Sequence, residues 1–326
     1  MKLSILIPQY NETTEEVKNL LNSIAAQQRI DFKDIEVCIL NDGSDIKLDA
    51  SIFSRYPYDI YYTDGEVNRK PALARQWLFD HSQGEYVMYC DADDSFWSIM
   101  ALSFILEQID RGFEVLITDF YEETFVDAKH REHIIVRHEC NKTFIHGKVF
   151  SRKFLIDNDI KWLDIFPAED NYYSKLCQAV ASEVKYVDIP LYIWKWRKNS
   201  IVRTDAKTWS LSQFHAGSRS EECLIDELFK RGLQGQALYY VAMHIYSCYF
   251  TLNSEIWRRK ENAQYKVVAI ERARYIYQKY KDWWVKIPQA NKDEIFESNL
   301  QLQINKGFAN DISINDWISE VLEQCK

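Results

Sequence analysis

Three carboxylates in four residues, Asp91, Asp93 and Asp94, follow directly on the apolar run Tyr86-Val87-Met88-Tyr89-Cys90. Carboxylates at that density repel one another, and each ionisation raises the pKa of its neighbours unless a cation neutralises them. Hard oxygen donors suit Mg2+ or Mn2+, which bind few protein carboxylates and complete their shell with a substrate phosphate. The run ahead of them is continuously apolar, aromatic and β-branched, as in a strand buried on both faces. The chemistry these residues imply is a divalent cation held against a phosphate at a strand's carboxyl end. The plainer alternative is an acidic loop or a helix N-terminus, where Asp is common. A second set of donors, His130, His133, His138 and Cys140, spans eleven residues. Its spacing fits no tetrahedral zinc pattern, and 134–136 between them reads as a strand.

The elements that must position the acids alternate along the chain. Strands are predicted over 3–7, stopped by Pro8, and over 35–40, 59–63, 86–90 and 114–118. Helices are predicted over 15–28, with Thr13 or Thr14 as N-cap, over 71–81 with Pro71 at its first position, and over 98–110. Such alternation predicts an α/β fold, a mostly parallel sheet flanked by helices, with ligands beyond the carboxyl ends of its strands. Tyr10, Asp42 and the 91–94 acids would gather on that edge. Further on, 133–138 reads as a strand in an antiparallel excursion, 151–158 and 169–181 as helices, and 184–189 as a last strand. The run Tyr192-Ile193-Trp194-Lys195-Trp196-Arg197 reads as a loop or lid that continues to Arg203.

Composition shifts near residue 205. Helical periodicity then dominates over 208–231, 236–257, 262–285, 291–304 and 314–324, with Leu238, Val241, Ala242, Ile245, Tyr249 and Phe250 on one stripe. Two domains follow: an α/β domain over 1–205 and a helical C-terminal appendage over 206–326. The appendage is a candidate to shape an acceptor site or to form a homo-oligomer; its plainest role is to close its own core.

The totals exclude several classes. A net charge of −9 without a basic stripe argues against nucleic acid as a partner. No apolar run reaches the length of a transmembrane segment, which leaves only peripheral membrane contact open. The N-terminal apolar stretch is too short for a secretory signal. Seven cysteines, an odd number without paired spacing, fit a reducing, cytoplasmic setting.

Taken together and in order, these stretches resemble the family-2 glycosyltransferases, nucleotide-sugar enzymes with the GT-A fold. Leu3 to Asn11 resembles the family's opening strand and Pro-aromatic-Asn loop, and Glu36 to Ser44 its second strand ending in acids, Gly and Ser. Asn68 and Arg75 match its Asn-to-Arg spacing, and Asp91-Ala92-Asp93 its metal-binding Asp-any-Asp motif. His146-Gly147-Lys148 and Glu169-Asp170 match its second half. The chain departs from the pattern at Asn41, where an aspartate is common, at Arg69 and Lys70, and at Gln76.

The resemblance implies an inverting transferase that moves a hexose or amino-hexose from a UDP-sugar to a hydroxyl of a glycan or surface polymer, with Mn2+ or Mg2+. Pro8 and Tyr10 would frame the base, and Asp42 would accept from a uracil N–H. Asn68 and Arg75 belong to the donor pocket, and Arg75 is suited to a phosphate or to neighbouring carboxylates. Asp93 would bind the metal directly, and Asp91 the ribose or the metal through water. Asp170 would be the general base, with Glu169 beside it, although helix-dipole stabilisation alone would explain acids at that position. Arg197 would close over the diphosphate with Trp196 and Arg203, and His146 reads as a backbone-bonding loop residue. From other classes, the scaffold would also suit a non-catalytic nucleotide- or glycan-binding protein, or a nucleotidyltransferase that releases pyrophosphate.

Overall fold

Largely apolar sequences bury the first strands. In β1 (Leu3–Gln9), Leu3, Ile5, Leu6 and Ile7 are inaccessible, and all seven residues of β2 (Ile35–Asn41) are buried. The computed structural model describes residues 1–125, 133–138, 143–197, 206–254, 263–305 and 312–323. Within them β1 pairs in parallel with β2 and with β4 (Tyr86–Tyr89), and β2 with β3 (Asp59–Asp64). Between them, α1 (Thr14–Ala25) starts at a capping box of Thr13 and Glu16 and buries Val17, Leu20, Leu21 and Ile24. Helix α2 (Lys70–His81) starts one residue before the expected Pro71, which stands in its first turn, where a missing N–H costs nothing. Helix α3 (Ala101–Arg111) ends at Gly112 in the left-handed region.

Beyond β4 the sheet becomes mixed. Strand β8 (Lys148–Ser151) lies antiparallel between β4 and β6 (Val115–Phe125), and β7 (His133–His138) pairs antiparallel with β6. Strand β9 (Val184–Trp194) runs parallel to β6, and the two-residue β5 (Ser95–Phe96) pairs antiparallel with β9. The order is β3-β2-β1-β4-β8-β6-β9-β5.

Three sequence expectations change here. β1 continues through Pro8, which stands opposite Leu40. β9 does not stop at 189: irregular register around Thr118, Asp119 and Phe120 sets Pro190 against Asp119, and pairing resumes through Trp194. The first half of the aromatic run is therefore strand, and only its end is loop. β5 had no sequence signal, because two residues are too few for any period.

The turn into β4 is locked by a buried acid. Glu36 Oε1 accepts from Ser4 Oγ at 2.6 Å, Gln83 N–H at 2.6 Å and Gly84 N–H at 3.1 Å. Gly84 lies so close to Ser4 that a Cβ would stand 2.5 Å from its nitrogen. This fixes where β4 begins, and hence where its acidic end emerges.

The chain divides into two compact units, Met1–Ile201 and Val202–Lys326. The second is helical: α6 (Ala206–Lys230), α7 (Gln234–Leu252), α8 (Ala263–Trp284), α9 (Gln289–Asn305) and the short α10 (Ile314–Trp317), which continues as a π turn over Ile318–Leu322. Val241, Ala242, Ile245, Tyr249 and Phe250 of α7 pack into one core with Ala273, Ile276, Tyr280 and Trp317. No helix among the described residues is long and apolar enough to cross a membrane.

Gly43, just after β2, has φ +72°, and a Cβ would stand 2.5 Å from the Val67 carbonyl carbon. Gly43→Ala should lower stability by about 1–3 kcal/mol in urea unfolding, the range for a strained left-handed residue. An unchanged midpoint would show that this turn tolerates a side chain.

Candidate active site

Arg75 on α2 is buried and reaches three acids from two directions. Its Nη2 lies 2.9 Å from Asp91 Oδ1, and its Nη1 lies 3.1 Å from Glu169 Oε1 and 2.8 Å from Asp170 Oδ1. The planar fork suits such divided carboxylate binding, where a lysine would offer only a point charge. The guanidinium also sits 5.0 Å over the Trp162 ring, which stacks on Tyr173 with centroids 4.0 Å apart. Glu169 and Asp170 open α5 (Glu169–Val180), whose first turn favours negative charge. Its N-cap, Ala168, is held at φ 86°, a strained conformation of the kind found at functional sites. Burial pushes Glu169 up to about 7, Asp170 adds to the rise, and Arg75 opposes it. Burial would also raise Asp91, but Arg75, His146 and Arg197 outweigh it and hold this carboxyl below its usual range.

The acids after β4 separate into two environments. Asp94 is wholly inaccessible and accepts from Tyr192 Oη at 2.7 Å and Lys195 N–H at 2.8 Å. Burial, then the charges of Asp93 and Asp91, push it well above the usual carboxylate range. His146 stacks on Tyr192 with centroids 5.3 Å apart, and its Nδ1, buried without a hydrogen-bond partner, stands 4.0 Å from Asp94 Oδ2. Burial pulls this imidazole below its ordinary value, against Asp91 and Asp170. Asp91, Asp94 and His146 each present a ligand atom, all within 4.8 Å of one another. Asp93 turns instead to Arg197, whose Nε is 3.2 Å away, while Arg197 Nη1 donates to Glu12 Oε1 at 2.6 Å. Burial and then Asp93 push Glu12 up to about 7, and Burial likewise raises Asp93 against the pull of Arg197.

Asp42 lies on the same strand edge. Its N–H donates to the Gln9 carbonyl at 2.8 Å, and its Oδ2 accepts from Arg69 N–H at 2.9 Å. Oδ1 is buried without a hydrogen-bond partner, 3.5 Å from the Arg69 guanidinium. Burial raises Asp42, and Arg69 offsets part of the rise. Pro8 lies near the end of the neighbouring strand, and Tyr10 beyond it is 46% exposed, with its N–H on Glu12 Oε2 at 2.7 Å. Asn68 is not brought to the acids: it is exposed and accepts from Lys70 N–H at 2.8 Å, shaping the start of α2.

Two of the departures from the family pattern have local reasons. Asn41 Nδ2 donates to Asp64 Oδ1 at 2.6 Å, where an aspartate would meet a like charge. Gln76 Oε1 accepts from Trp162 N–H at 2.9 Å, fixing the ring beneath Arg75. Sequence reading passed over Glu12, Tyr192 and Lys148 and took His146 for a backbone-bonding residue. The signals for Glu12 and Lys148 were present in Tyr-Asn-Glu and His-Gly-Lys; Tyr192 lay in the stretch read as lid. Lys148 is wholly buried, with its ammonium on the Phe144 carbonyl, and burial pushes it down to about 7 against Asp170. Of the zinc-type set, His130 and Cys140 lie outside the described residues, as does Arg203, and His138 Nε2 is 2.8 Å from Glu122.

Residues 4–162 match the family model Glycosyl transferase family 2. The chain is 22% identical over 234 residues to Glycosyltransferase GlyA of Streptococcus pneumoniae, covering 64% of this chain and 32% of that protein. It is 34% identical over 112 residues to the teichoic acid poly(glycerol phosphate) polymerase of Staphylococcus epidermidis, covering 33% of this chain and 15% of that protein. The chain thus spans a third or less of the curated relatives it matches. Residues 1–349 of S. aureus TarS superpose over 92% of both chains with 18% identity and a TM-score of 0.62, and the same protein in complex with UDP-GlcNAc gives 0.57. The fold is GT-A-like, and the chain resembles the family-2 glycosyltransferases.

Glu12 and Glu169 sit at about 7 in the fold against 4.5 for a free glutamate. Between those values the folded chain binds more protons than the unfolded one, so their contribution to stability falls as pH rises from 4.5 to 7. Glu12→Gln and Glu169→Gln should each flatten that fall when urea unfolding is compared at about pH 5, 6 and 7. Variants that keep the wild-type slope would show that neither carboxyl takes up a proton on folding.

Proposed function

We propose that the protein is an inverting glycosyltransferase that transfers a hexose or amino-hexose from a UDP-sugar to a hydroxyl of a glycan or surface polymer. The observation that carries this reading is the buried Arg75 fork, with Asp170 and the cluster acid Asp91 on the same guanidinium. Asp170 uses Oδ1 for Arg75 and Oδ2 for the Ile145 N–H at 3.2 Å. A carboxylate has about four lone-pair sites, so each oxygen keeps one to receive a proton. As the acceptor hydroxyl attacks the anomeric carbon, its proton passes to Asp170 and the bond from that carbon to the UDP oxygen breaks. Glu169 shares Arg75 with the base and so moderates how much of the guanidinium's charge Asp170 feels.

Asp91, Asp94 and His146, with Asp93 beside them, are the residues that would hold a divalent cation. Their mutual repulsion and the unpartnered His146 Nδ1 fit a cation, and the mixed oxygen and nitrogen donors favour Mn2+ over Mg2+. Such an ion, when bound, neutralises charge on the diphosphate leaving group. The unpartnered Asp42 Oδ1 suits the imide N–H of uracil, and Arg197 lies within reach of the same acids for a phosphate. The likeness to TarS bound to UDP-GlcNAc supports a UDP donor, and the staphylococcal polymerase supports a polymer acceptor. Cysteine usage supports a cytoplasmic reaction.

Thermal unfolding with UDP, GDP or CDP, each with and without Mn2+, tests the donor class. UDP should stabilise the protein, and largely only with Mn2+, because a ligand selective for the native state raises its stability. Stabilisation by GDP or CDP instead would overturn the UDP assignment. In transfer assays Asp170→Asn should lower kcat by about 10²- to 10⁴-fold, the range for a general base. A folded Asp170→Asn enzyme with undiminished turnover would remove the base. Release of pyrophosphate rather than UDP would mark a nucleotidyltransferase.

A further inference from the structure

One short turn touches both halves of the site. The Ile145 N–H at its start donates to Asp170 Oδ2 at 3.2 Å, and the His146 Nδ1 at its centre stands 4.0 Å from Asp94 Oδ2. The turn is held at three points. The Lys148 ammonium donates to the Phe144 carbonyl, and the Lys148 N–H lies 3.3 Å from the Ile145 carbonyl. The Gly147 carbonyl accepts from both the N–H of Thr118, at 2.9 Å, and its Oγ1, at 3.0 Å. Gly147 has φ +69°, and a Cβ there would stand 2.8 Å from Thr118 Oγ1, so the backbone is pressed onto β6.

We propose that Lys148 is a positioning residue: its ammonium clamps the 144–148 turn, and the turn sets Asp170 relative to the acidic cluster. The side chain is wholly inaccessible, and its hydrogen-bond partner is a carbonyl four residues back in the chain. Burying an ammonium is costly, and an apolar side chain of similar length would fill the same space at lower cost. What the ammonium supplies is a fixed Phe144 carbonyl, and with it the direction of the Ile145 N–H, which belongs to the same planar peptide group, toward Asp170. Lys148 itself touches neither donor nor acceptor; it acts through Ile145 and His146, and its charge also bears on Asp170. The catalytic part of the proposal rests on reading Asp170 as the base.

The test uses the full chain carrying Lys148→Met, with Thr118→Val as a milder variant that removes the Oγ1 contacts to the Gly147 and Asp119 carbonyls. Two readouts are needed: steady-state transfer, and hydrogen exchange at the Ile145 amide. Lys148→Met should lower kcat by about tenfold to a hundredfold, the scale of a slight misplacement of a reacting group, while the donor KM stays within about threefold. Exchange at Ile145 should quicken while amides of β1 and β2 keep their protection. Thr118→Val should move both readouts in the same direction and less far; if Lys148→Met does not fold, Lys148→Gln takes its place with the same two readouts and the same outcomes. Unchanged exchange overturns the clamp. Faster exchange with unchanged kcat overturns the link to Asp170, and a loss confined to KM makes Lys148 a binding residue instead. A wild type inactive with every donor would sink the transferase reading, yet faster Ile145 exchange in Lys148→Met would still establish the clamp.

Discussion

One buried guanidinium and the three carboxylates on it constrain the rest of the first unit. Arg75 draws Asp91 from the end of β4 and Glu169 and Asp170 from the start of α5 onto one plane. Burial works against its charge, and Asp170, Asp91 and Glu169 together more than restore it. Removing one partner from such a group leaves an uncompensated buried charge, typically a loss of 3–5 kcal/mol. The site remains short of positive charge all the same. Glu12, Asp91, Asp93, Glu169 and Asp170 share the guanidiniums of Arg75 and Arg197, Asp94 stands beside His146, and burial first and then the neighbouring carboxylates raise Glu12, Asp94 and Glu169. A ligand that brings a divalent cation would relieve that shortage.

The fold meets this constraint by making the supports rigid. Glu36 fixes the entry to β4 through three hydrogen bonds, and the aromatic group of Tyr89, Trp162 and Tyr173 fills the space beneath Arg75. Tyr192 serves both halves of the cluster, accepting from Asp91 N–H at 3.0 Å and donating to Asp94 at 2.7 Å. Polar groups buried in this way are tolerable only when each has a partner. Asp42 Oδ1, which has only the Arg69 guanidinium at 3.5 Å, and His146 Nδ1 are among the buried atoms without a hydrogen-bond partner.

The parallel half of the sheet was legible because β1, β2 and β4 carry the apolar runs 5–7, 37–40 and 86–90, each followed by Pro, Asn-Asp-Gly or Asp-Ala-Asp. The gathering of Tyr10, Asp42 and the 91–94 acids on one edge follows from parallel strands alone. The second half was less legible. The β9 continuation depends on a register irregularity opposite Pro190, and β5 exists only because β9 is there to pair with it. Local sequence carries neither fact. The same limit applies to the acids. Their types and spacing announced a charged site, but which of them face a guanidinium and which face His146 depends on side chains far away in sequence, such as His146 and Arg197.

The proposed reaction is a direct displacement at the anomeric carbon with Asp170 receiving the proton. The most direct measurement is the anomeric configuration of the product, read by proton NMR after transfer from a donor whose sugar is α-linked to UDP. A β-linked product is the predicted result. An α-linked product would contradict the single displacement and with it the role given to Asp170.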